Sequence, residues 1–463
     1  MLKLHNTLTG ADEAFRTIEE GVVRLYTCGP TVYDYAHIGN FRTFVFQDLL
    51  RRYLVFRGFR VIHVMNITDV DDRIIQNARG QGMSLKDYTE KYTEAFFEDS
   101  RTLRIELPEL MPRATAHIPE MVALIKRLEA KGYTYRKDGS IYFSISRFRD
   151  YGKLSKADFS GIQPGARVDT DKYDKENARD FALWKAPKEG EDFWETEIGP
   201  GRPGWHIECS AMSMKYLGET FDIHCGGADL VFPHHENEIA QSEAATGKPF
   251  VHYWLHPEFL IVEGEKMSKS LGNQFTLRDL LAKGPAPEAI RYLLLSVHYR
   301  RQLNFTWDGL RQAEASLQRL EDFLVRMSEI ADSSAPGAEF AAEVSGARQR
   351  FAEAMDDDLN TSAALAVVYD FVRWANQKIE QGQVAGGDAR AAVDFLRELD
   401  KVFAVLRDRT GLVDADILEM IEQRTAARKR RDFAESDRIR DYLLEKGIQL
   451  EDTRDGTRWK RLR

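Results

Sequence analysis

The 463-residue sequence has only three cysteines, Cys28, Cys209 and Cys225. The number is odd and the density low, which excludes a disulfide framework. Cysteines beside histidine-rich segments point to metal binding or catalysis instead, with small buried packing residues as the plain alternative. No apolar run is long enough to span a bilayer. The first residues, MLKLHNTLTGADEAF, lack the basic and apolar regions of a signal peptide, so a cytoplasmic location is expected. Excess positive charge is missing too. The formal net charge of −9 argues against a general nucleic-acid binder, but the deficit is uneven. From Arg424 to Arg463 there are 13 basic and 8 acidic residues, a balance of +5 against −14 for the rest. A basic tail on an acidic body suits one localised polyanion contact, or else a solvated, salt-bridged helix.

Apolar residues make up 43% of the chain and charged residues 30%, ordinary values for a globular protein with ample core material. The length implies two to four domains. Residues 22–32 (VVRLYTCGPTV) read as a strand broken at Gly29-Pro30. The stretch 41–58 reads as a helix, with Phe46, Leu49, Leu50 and Leu54 near i, i+3, i+4 spacing and Gly58 closing it. Residues 60–67 (RVIHVMNI) suit a buried parallel strand. Strand, helix, strand predicts a doubly wound parallel sheet, an α/β fold. The texture changes from about 115 to 200, as if the sheet were interrupted by an insertion. Residues 220–224 read as another buried strand and 235–247 as a helix ending at Gly247. Beyond about 310 the pattern is helical, including 362–379 with Asn360 or Thr361 as N-cap. Loops are expected at 331–344 and 381–388, and a basic helix at about 425–446 with a short tail folded on it.

Two motifs carry chemistry. In PTVYDYAHIGNFR, 30–42, His37-Ile38-Gly39-Asn40 falls at a helix start, where free N–H groups and the helix dipole suit a phosphate. Gly39 admits a ligand close to the backbone. In KMSKS, 266–270, Lys266 and Lys269 flank serines before Leu271-Gly272-Asn273, a composition for a phosphate-gripping loop. Lys269 is placed to stabilise charge on a leaving pyrophosphate. Either motif alone fits a commonplace loop. Together, in this order, they are the paired signatures of class I aminoacyl-tRNA synthetases. The chain resembles that class, and within it the cysteine–tRNA ligases. The carriers are YTCGPTVYDYAHIGNFR (26–42), NITDVDD (66–72), GWHIECSAMS (204–213), GADLVFPHHENEIAQ (227–241), GEKMSKSLGN (264–273) and DDDLNTSAAL (356–365).

The resemblance implies a Rossmann-like catalytic domain, first half 1–114, with a connective insertion at 115–200 and a second half at 201–255. A KMSKS-containing connection, 256–312, a helical bundle, 313–404, and a small anticodon-binding domain, 405–463, would follow. It implies ATP, L-cysteine and tRNA(Cys) as partners, no membrane, a monomer, Mg²⁺ accompanying ATP and one zinc ion. Read from the residues alone, Cys28, Cys209, a histidine and a carboxylate make a tetrahedral zinc set. His234 and Glu238, four apart, share a helix face, but the residues do not choose between His234 and His235, nor among Glu236, Glu238 and Glu243. The resemblance selects Cys28, Cys209, His234 and Glu238. A protease-type H-E-x-x-H fails, because Ile239 stands where the second histidine belongs.

Zinc has a physical reason to be there. Serine is nearly isosteric with cysteine, and pocket shape separates such pairs poorly. A soft thiolate binds zinc; a neutral alcohol does not compete. Cys225 is expected to be a small packed residue. Asp229, after a glycine turn at a strand end, suits a ribose hydroxyl, and the resemblance places the nucleoside near Gly227 and Asp229. It also makes Thr68 and Trp205, with Cys28, walls of the amino-acid pocket. In the tail it implies anticodon contacts from Arg428, Phe433, Asp437 and Asp452, with Phe433 standing where relatives often carry tryptophan. Two rivals are a cysteine ligase acting on an amino sugar and a non-catalytic RNA-binding protein of synthetase origin. The first would lack the C-terminal section and the second would lose signature residues; this sequence keeps both.

Overall fold

The computed structural model describes residues 1–156, 180–407, 415–430, 432–445, 448–453 and 456–461. They form two compact units, Met1–Val405 and Leu406–Arg463. None of the described helices is long and apolar enough to cross a membrane.

The first unit is built on a four-stranded parallel sheet in the order Val251–Leu255, Phe221–Cys225, Val22–Thr27, Arg60–Met65. Its strands are buried nearly without alternation, Phe221–Cys225 throughout, as parallel strands covered by helices must be. Leu25, Tyr26, Val64, Ile223 and Trp254 are buried, each worth roughly 1.5–3 kcal/mol of transfer free energy where fully removed from water. The signature helix, Ile38–Phe56, packs on the strand Arg60–Met65, and the helix Trp205–Leu217 packs on that strand and on Val22–Thr27. The signature helix starts at Ile38, three residues before the expected Phe41. His37 and Asn40 cap each other there, so the helix begins where its first N–H groups find partners. The expected strand over 22–32 stops at Thr27.

The interruption of the sheet carries an antiparallel sheet of Thr134–Lys137, Ser140–Phe143, Phe181–Lys185 and Arg202–Pro203. The KMSKS segment starts on a small sheet of Leu260–Val262, Glu265–Lys266 and Leu303–Phe305, at the strand Glu265–Lys266. Helices Trp307–Ile330, Ala338–Asp356, Thr361–Glu380 and Gly386–Phe403 then form the bundle. Two expected loops are shorter than the sequence implied. Ala338–Val344 is helical because Ala-Glu-Phe-Ala-Ala-Glu-Val favours helix and buries Phe340 and Val344 one turn apart. Gly386–Asp388 is also helical, and the Asp388 carboxylate accepts from the amides of Ala385 and Gly337, closing both helix starts.

The DDDLNT segment anchors the bundle to the sheet domain. Asp358 is buried, and its carboxylate accepts from His5 N at 2.8 Å, Tyr299 Oη at 2.6 Å and Arg300 Nε at 2.6 Å. Tyr299 and Arg300 follow the helix Pro287–Leu295, whose end and following loop are held from the signature helix, where buried Arg42 donates to the carbonyls of Leu294, Val297 and His298.

The second unit holds helices Ala415–Lys429 and Phe433–Glu445 and a hairpin of Ile448–Thr453 with Gly456–Arg461. Ile421, Ile439, Leu443 and Ile448 form its core, so the hairpin packs on the helices. The single basic helix expected over 425–446 is two. Asp432 N closes the first on Ala427 O, and the Asp432 carboxylate caps the second at Glu435 N, 3.1 Å away.

Candidate active site and metal cluster

Three parallel strands end side by side at Thr27, Met65 and Cys225, and the segments leaving them line one cavity of about 310 Å³. The carboxyl edge of a doubly wound sheet is where such folds bind ligands. The edge is stitched together. Gly29 N donates to Asn66 Oδ1 at 3.0 Å, Val32 N to Thr68 O at 3.1 Å, and Thr68 N to Pro30 O at 3.0 Å. A Cβ on Gly29 would lie 1.8 Å from Asn66 O, so only glycine fits there.

His37 and Asn40 both line the cavity. His37 Nδ1 accepts from Asn40 N at 3.1 Å, and Asn40 Oδ1 accepts from His37 N at 3.1 Å. With Nδ1 an acceptor, the neutral ring carries its proton on Nε2. Burial, helped by the Lys269 charge, holds the His37 pKa below the ordinary histidine value, which keeps the ring neutral. Gly39 is not a lining residue; Met267 covers its Cβ side, where a Cβ would stand 2.8 Å from Met267 Cε and 3.1 Å from His37 Nδ1. Lys269 reaches the cavity and pairs with Asp34 at 2.9 Å. Lys266 is exposed on its short strand and is not a lining residue. Asn273 braces the loop between them, accepting from Ser268 N at 2.8 Å and donating to Lys266 O at 3.2 Å.

At the cavity floor the ligand atoms of Cys28, Cys209, His234 and Glu238 lie within 4.8 Å of one another, all buried. A second set, Cys28, His224, His235 and Glu238, meets the same measure. Cys28, Cys209 and His234 line the cavity, whereas His224 and His235 do not. Cysteine, histidine and carboxylate at such spacing match a zinc donor set. Glu238 Oε1 is buried without a well-formed hydrogen bond among the described residues, although His234 Nε2 is 3.1 Å away. That leaves an acceptor for a cation to satisfy. Burial pushes the Cys28 thiol up to about 11, and the hydrogen bond with Cys28 together with burial pushes Cys209 well above its ordinary value. Burial would lower His234 and raise Glu238, but each is overridden: Glu238 and Cys209 raise His234, while His224 and His234 hold Glu238 below the usual carboxylate range. The Glu238 carboxylate thus balances a protonated His234 while the thiols keep their protons, which a bound metal would displace.

Of the histidines around this cluster, the sequence offered His235 only as an alternative to His234 and gave no role to His206, His224 or His256. His206 Nδ1 lies 2.9 Å from His234 Nδ1, His224 Nε2 2.9 Å from Glu238 Oε2, and His235 Nδ1 2.8 Å from His256 Nε2. Burial and neighbouring imidazoles hold His235 and His256 neutral. Two of them, in WHIEC and DIHC, could have been suspected from their nearness to Cys209 and Cys225.

Thr68 and Trp205 both line the cavity. The Thr68 hydroxyl accepts from Asn66 Nδ2 at 3.1 Å and lies 3.2 Å from buried Glu208 Oε2. Trp205 lies on His234, ring centres 4.0 Å apart. Gly227 and Asp229 line the same space, and burial raises the Asp229 pKa. Cys225 is buried and stands in neither candidate ligand set. In the second unit, Arg428 falls in the last turn of the first helix and Phe433, 61% exposed, opens the second. Asp437 is exposed and pairs with Arg440 at 3.2 Å, and Asp452 lies on the hairpin opposite Thr457.

The family described as "tRNA synthetases class I (C) catalytic domain" matches residues 14–315, and the DALR domain matches 350–407, within the helical bundle and its end. The solved structure of Mycobacterium tuberculosis methionyl-tRNA synthetase in complex with methionyl-adenylate superposes with a TM-score of 0.60 at 16% identity, covering 82% of this chain and 89% of that one, a likeness of fold. The family match over 14–315 makes the chain a class I aminoacyl-tRNA synthetase, and its fold agrees. The cysteine–tRNA ligase of Solibacter usitatus is 57% identical over 463 residues, 99% of both chains, and that of Chlamydia muridarum 49% identical over 477 residues, all of both. The chain belongs to the cysteine–tRNA ligase family.

Proposed function

We propose that the cavity activates L-cysteine and hands it to tRNA(Cys) in two steps. The cysteine carboxylate attacks the α-phosphorus of ATP; the bond to the bridging oxygen breaks, giving cysteinyl-adenylate and pyrophosphate. A hydroxyl of the terminal tRNA ribose then attacks the activated carbonyl, and AMP leaves. Neither step calls for a protein nucleophile, so the work is positioning and charge stabilisation.

His37 offers an Nε2–H donor to phosphate oxygens, and Asn40 fixes that tautomer through the mutual cap. Gly39 lets the triphosphate approach the helix start. Lys269 meets charge as it moves onto pyrophosphate, with Lys266 carried on the same loop. Asp229, whose carboxylate lies against Gly227, and Gly227 itself serve the ribose. Thr68, Trp205 and Cys28 wall the amino-acid pocket. One zinc ion per chain, held by Cys28, Cys209, His234 and Glu238, supplies a soft centre that prefers a thiolate to an alcohol. Mg²⁺ enters with ATP. Arg428, Phe433, Asp437 and Asp452 contact the anticodon, and the chain works as a cytoplasmic monomer.

The observation that carries this reading is the meeting of the capped His37–Asn40 helix start, Lys269 and the Cys28–Cys209–His234 floor in one cavity. The test is cysteine-dependent exchange between ATP and pyrophosphate, with and without a chelator. Cysteine should drive exchange, serine should not, and stripping the metal should abolish it. Full exchange in metal-free protein would remove the zinc assignment.

A further inference from the structure

The KMSKS loop is tied to the signature helix at its foot and to the segment before that helix at its tip, by different means. At the foot the ties are main-chain and apolar: Ile38 N donates to Phe275 O at 2.9 Å, and Met267 fills the space beside Gly39. At the tip the hydrogen bonds are internal to the loop, from Ser268 N to Asn273, Leu271 N to Ser268 Oγ and Gly272 N to Lys269 O. One ionic tie leaves the tip, from Lys269 Nζ to Asp34 Oδ2 across 2.9 Å. Lys269 is 75% exposed and Asp34 41%, and both line the cavity. An ion pair this wet is weak and exchangeable. A polyphosphate entering the cavity brings more negative charge to Lys269 than a single carboxylate does. Asp34 sits three residues before His37, at the end of the cavity where phosphates are expected.

We infer that Asp34 is a positioning residue for the adenylation step: it parks Lys269 over the phosphate end of the cavity, competes with pyrophosphate for that ammonium, and takes it back as pyrophosphate departs. This rests on the reading of Lys269 as a phosphate ligand. The pairing keeps the loop tip near its working position without committing the lysine to a ground-state anion. After bond cleavage, Asp34 offers Lys269 an alternative partner, so the leaving group is not retained.

The test is a double-mutant cycle read by equilibrium dialysis of radiolabelled inorganic pyrophosphate against the full chain. Asp34→Asn should tighten pyrophosphate binding by about 2- to 5-fold, the size of an exposed ion pair, and Asp34→Glu should restore the original affinity. On a Lys269→Ala background, Asp34→Asn should change nothing. Simple like-charge repulsion from Asp34 would persist without Lys269, so an equal gain on both backgrounds overturns the inference. Unchanged or weaker binding in Asp34→Asn also overturns it. If Lys269→Ala itself leaves pyrophosphate binding intact, the phosphate role of Lys269 falls and the inference falls with it. If Lys269→Ala weakens binding while Asp34→Asn fails, only Asp34 loses its role.

Discussion

Asp48 and Arg291 form an ion pair with both side chains shut off from solvent, joining the signature helix to the helix Pro287–Leu295. Each charge is otherwise fully engaged. Asp48 accepts from Arg52 Nε at 2.8 Å and Glu106 N at 2.9 Å; Arg291 donates to Phe403 O at 2.6 Å and Leu103 O at 2.9 Å. The network fixes the helix carrying His37 and Asn40 against the segment that follows the KMSKS loop. Asp48→Ala strands a buried guanidinium and should cost about 3–5 kcal/mol. Arg291→Met leaves Asp48 its other donors and should cost less, about 1–3 kcal/mol, chiefly for two carbonyls without partners. Urea midpoints of the main unfolding transition check the order. Equal losses would show that burial of charge is not what the pair contributes.

Cys209 tests the metal cluster. Its thiol is buried, and serine is close in size, so Cys209→Ser should keep the fold while losing a soft ligand. Metal analysis should give one zinc per wild-type chain and almost none in the variant, and calorimetry should lose cysteine binding with it. Because Cys28 is held up to about 11 by burial, loading a stripped protein must expel protons. Zinc added in weak buffer should therefore acidify the solution, and uptake should strengthen as pH rises. A variant with stoichiometric zinc would displace Cys209 from the ligand set and favour the set containing His224 and His235.

Features carried by neighbouring residues were legible in the sequence. His37 and Asn40 stand three apart, and that spacing makes their cap and their shared outlook on the cavity. The βαβ unit showed itself because parallel strands must be apolar on both faces. Contacts between distant segments left no local trace. His206, His224, His235 and His256 reach one cluster from separate elements, and Asp34 meets Lys269 across 235 residues. The misread loops have a different cause. Serine, proline and glycine at 333–337 drew attention from the Ala338–Val344 helix beside them, and the continuous charge of 425–446 hid the cap at Asp432.

His63 gives a pH prediction. It is buried in the strand Arg60–Met65 with Nε2 2.9 Å from Thr27 Oγ1. Burial, with a smaller push from Arg51, lowers its pKa from 6.5 to about 3. The unfolded chain therefore binds this proton near pH 6.5 and the folded chain only near 3. Between those values the unfolded state holds more protons, so stability is full above pH 6.5 and falls as pH falls. At pH 5 the loss from this residue should be about 2 kcal/mol. His63→Gln removes the titration and retains a polar partner for Thr27. Its stability should drop less between pH 7 and pH 5 than wild type by about that amount. Parallel drops in both proteins would mean that His63 is not a source of acid sensitivity.

The last prediction separates activation from tRNA selection. Leu406–Arg463 is a compact unit with its own core of Ile421, Ile439, Leu443 and Ile448, and the cavity proposed for adenylation lies wholly within Met1–Val405. Its charge runs to +5 from Arg424 to Arg463 on an otherwise acidic chain, and the Phe433 ring is exposed, as stacking on an unpaired base would require. Removing residues 406–463 should spare cysteine-dependent pyrophosphate exchange, which needs no tRNA. Aminoacylation should fall strongly, and the affinity lost should be the salt-sensitive part, because phosphate contacts release counterions. Phe433→Ala should reproduce part of that loss in kcat/KM for tRNA, by roughly 1–3 kcal/mol if the ring stacks on a base, with exchange untouched. The competing account gives the unit a purely structural role. In that case truncation would lower the unfolding temperature of Met1–Val405 and depress exchange and aminoacylation together. A truncated chain that stays folded and charges tRNA at the full-length rate would exclude anticodon recognition by this unit.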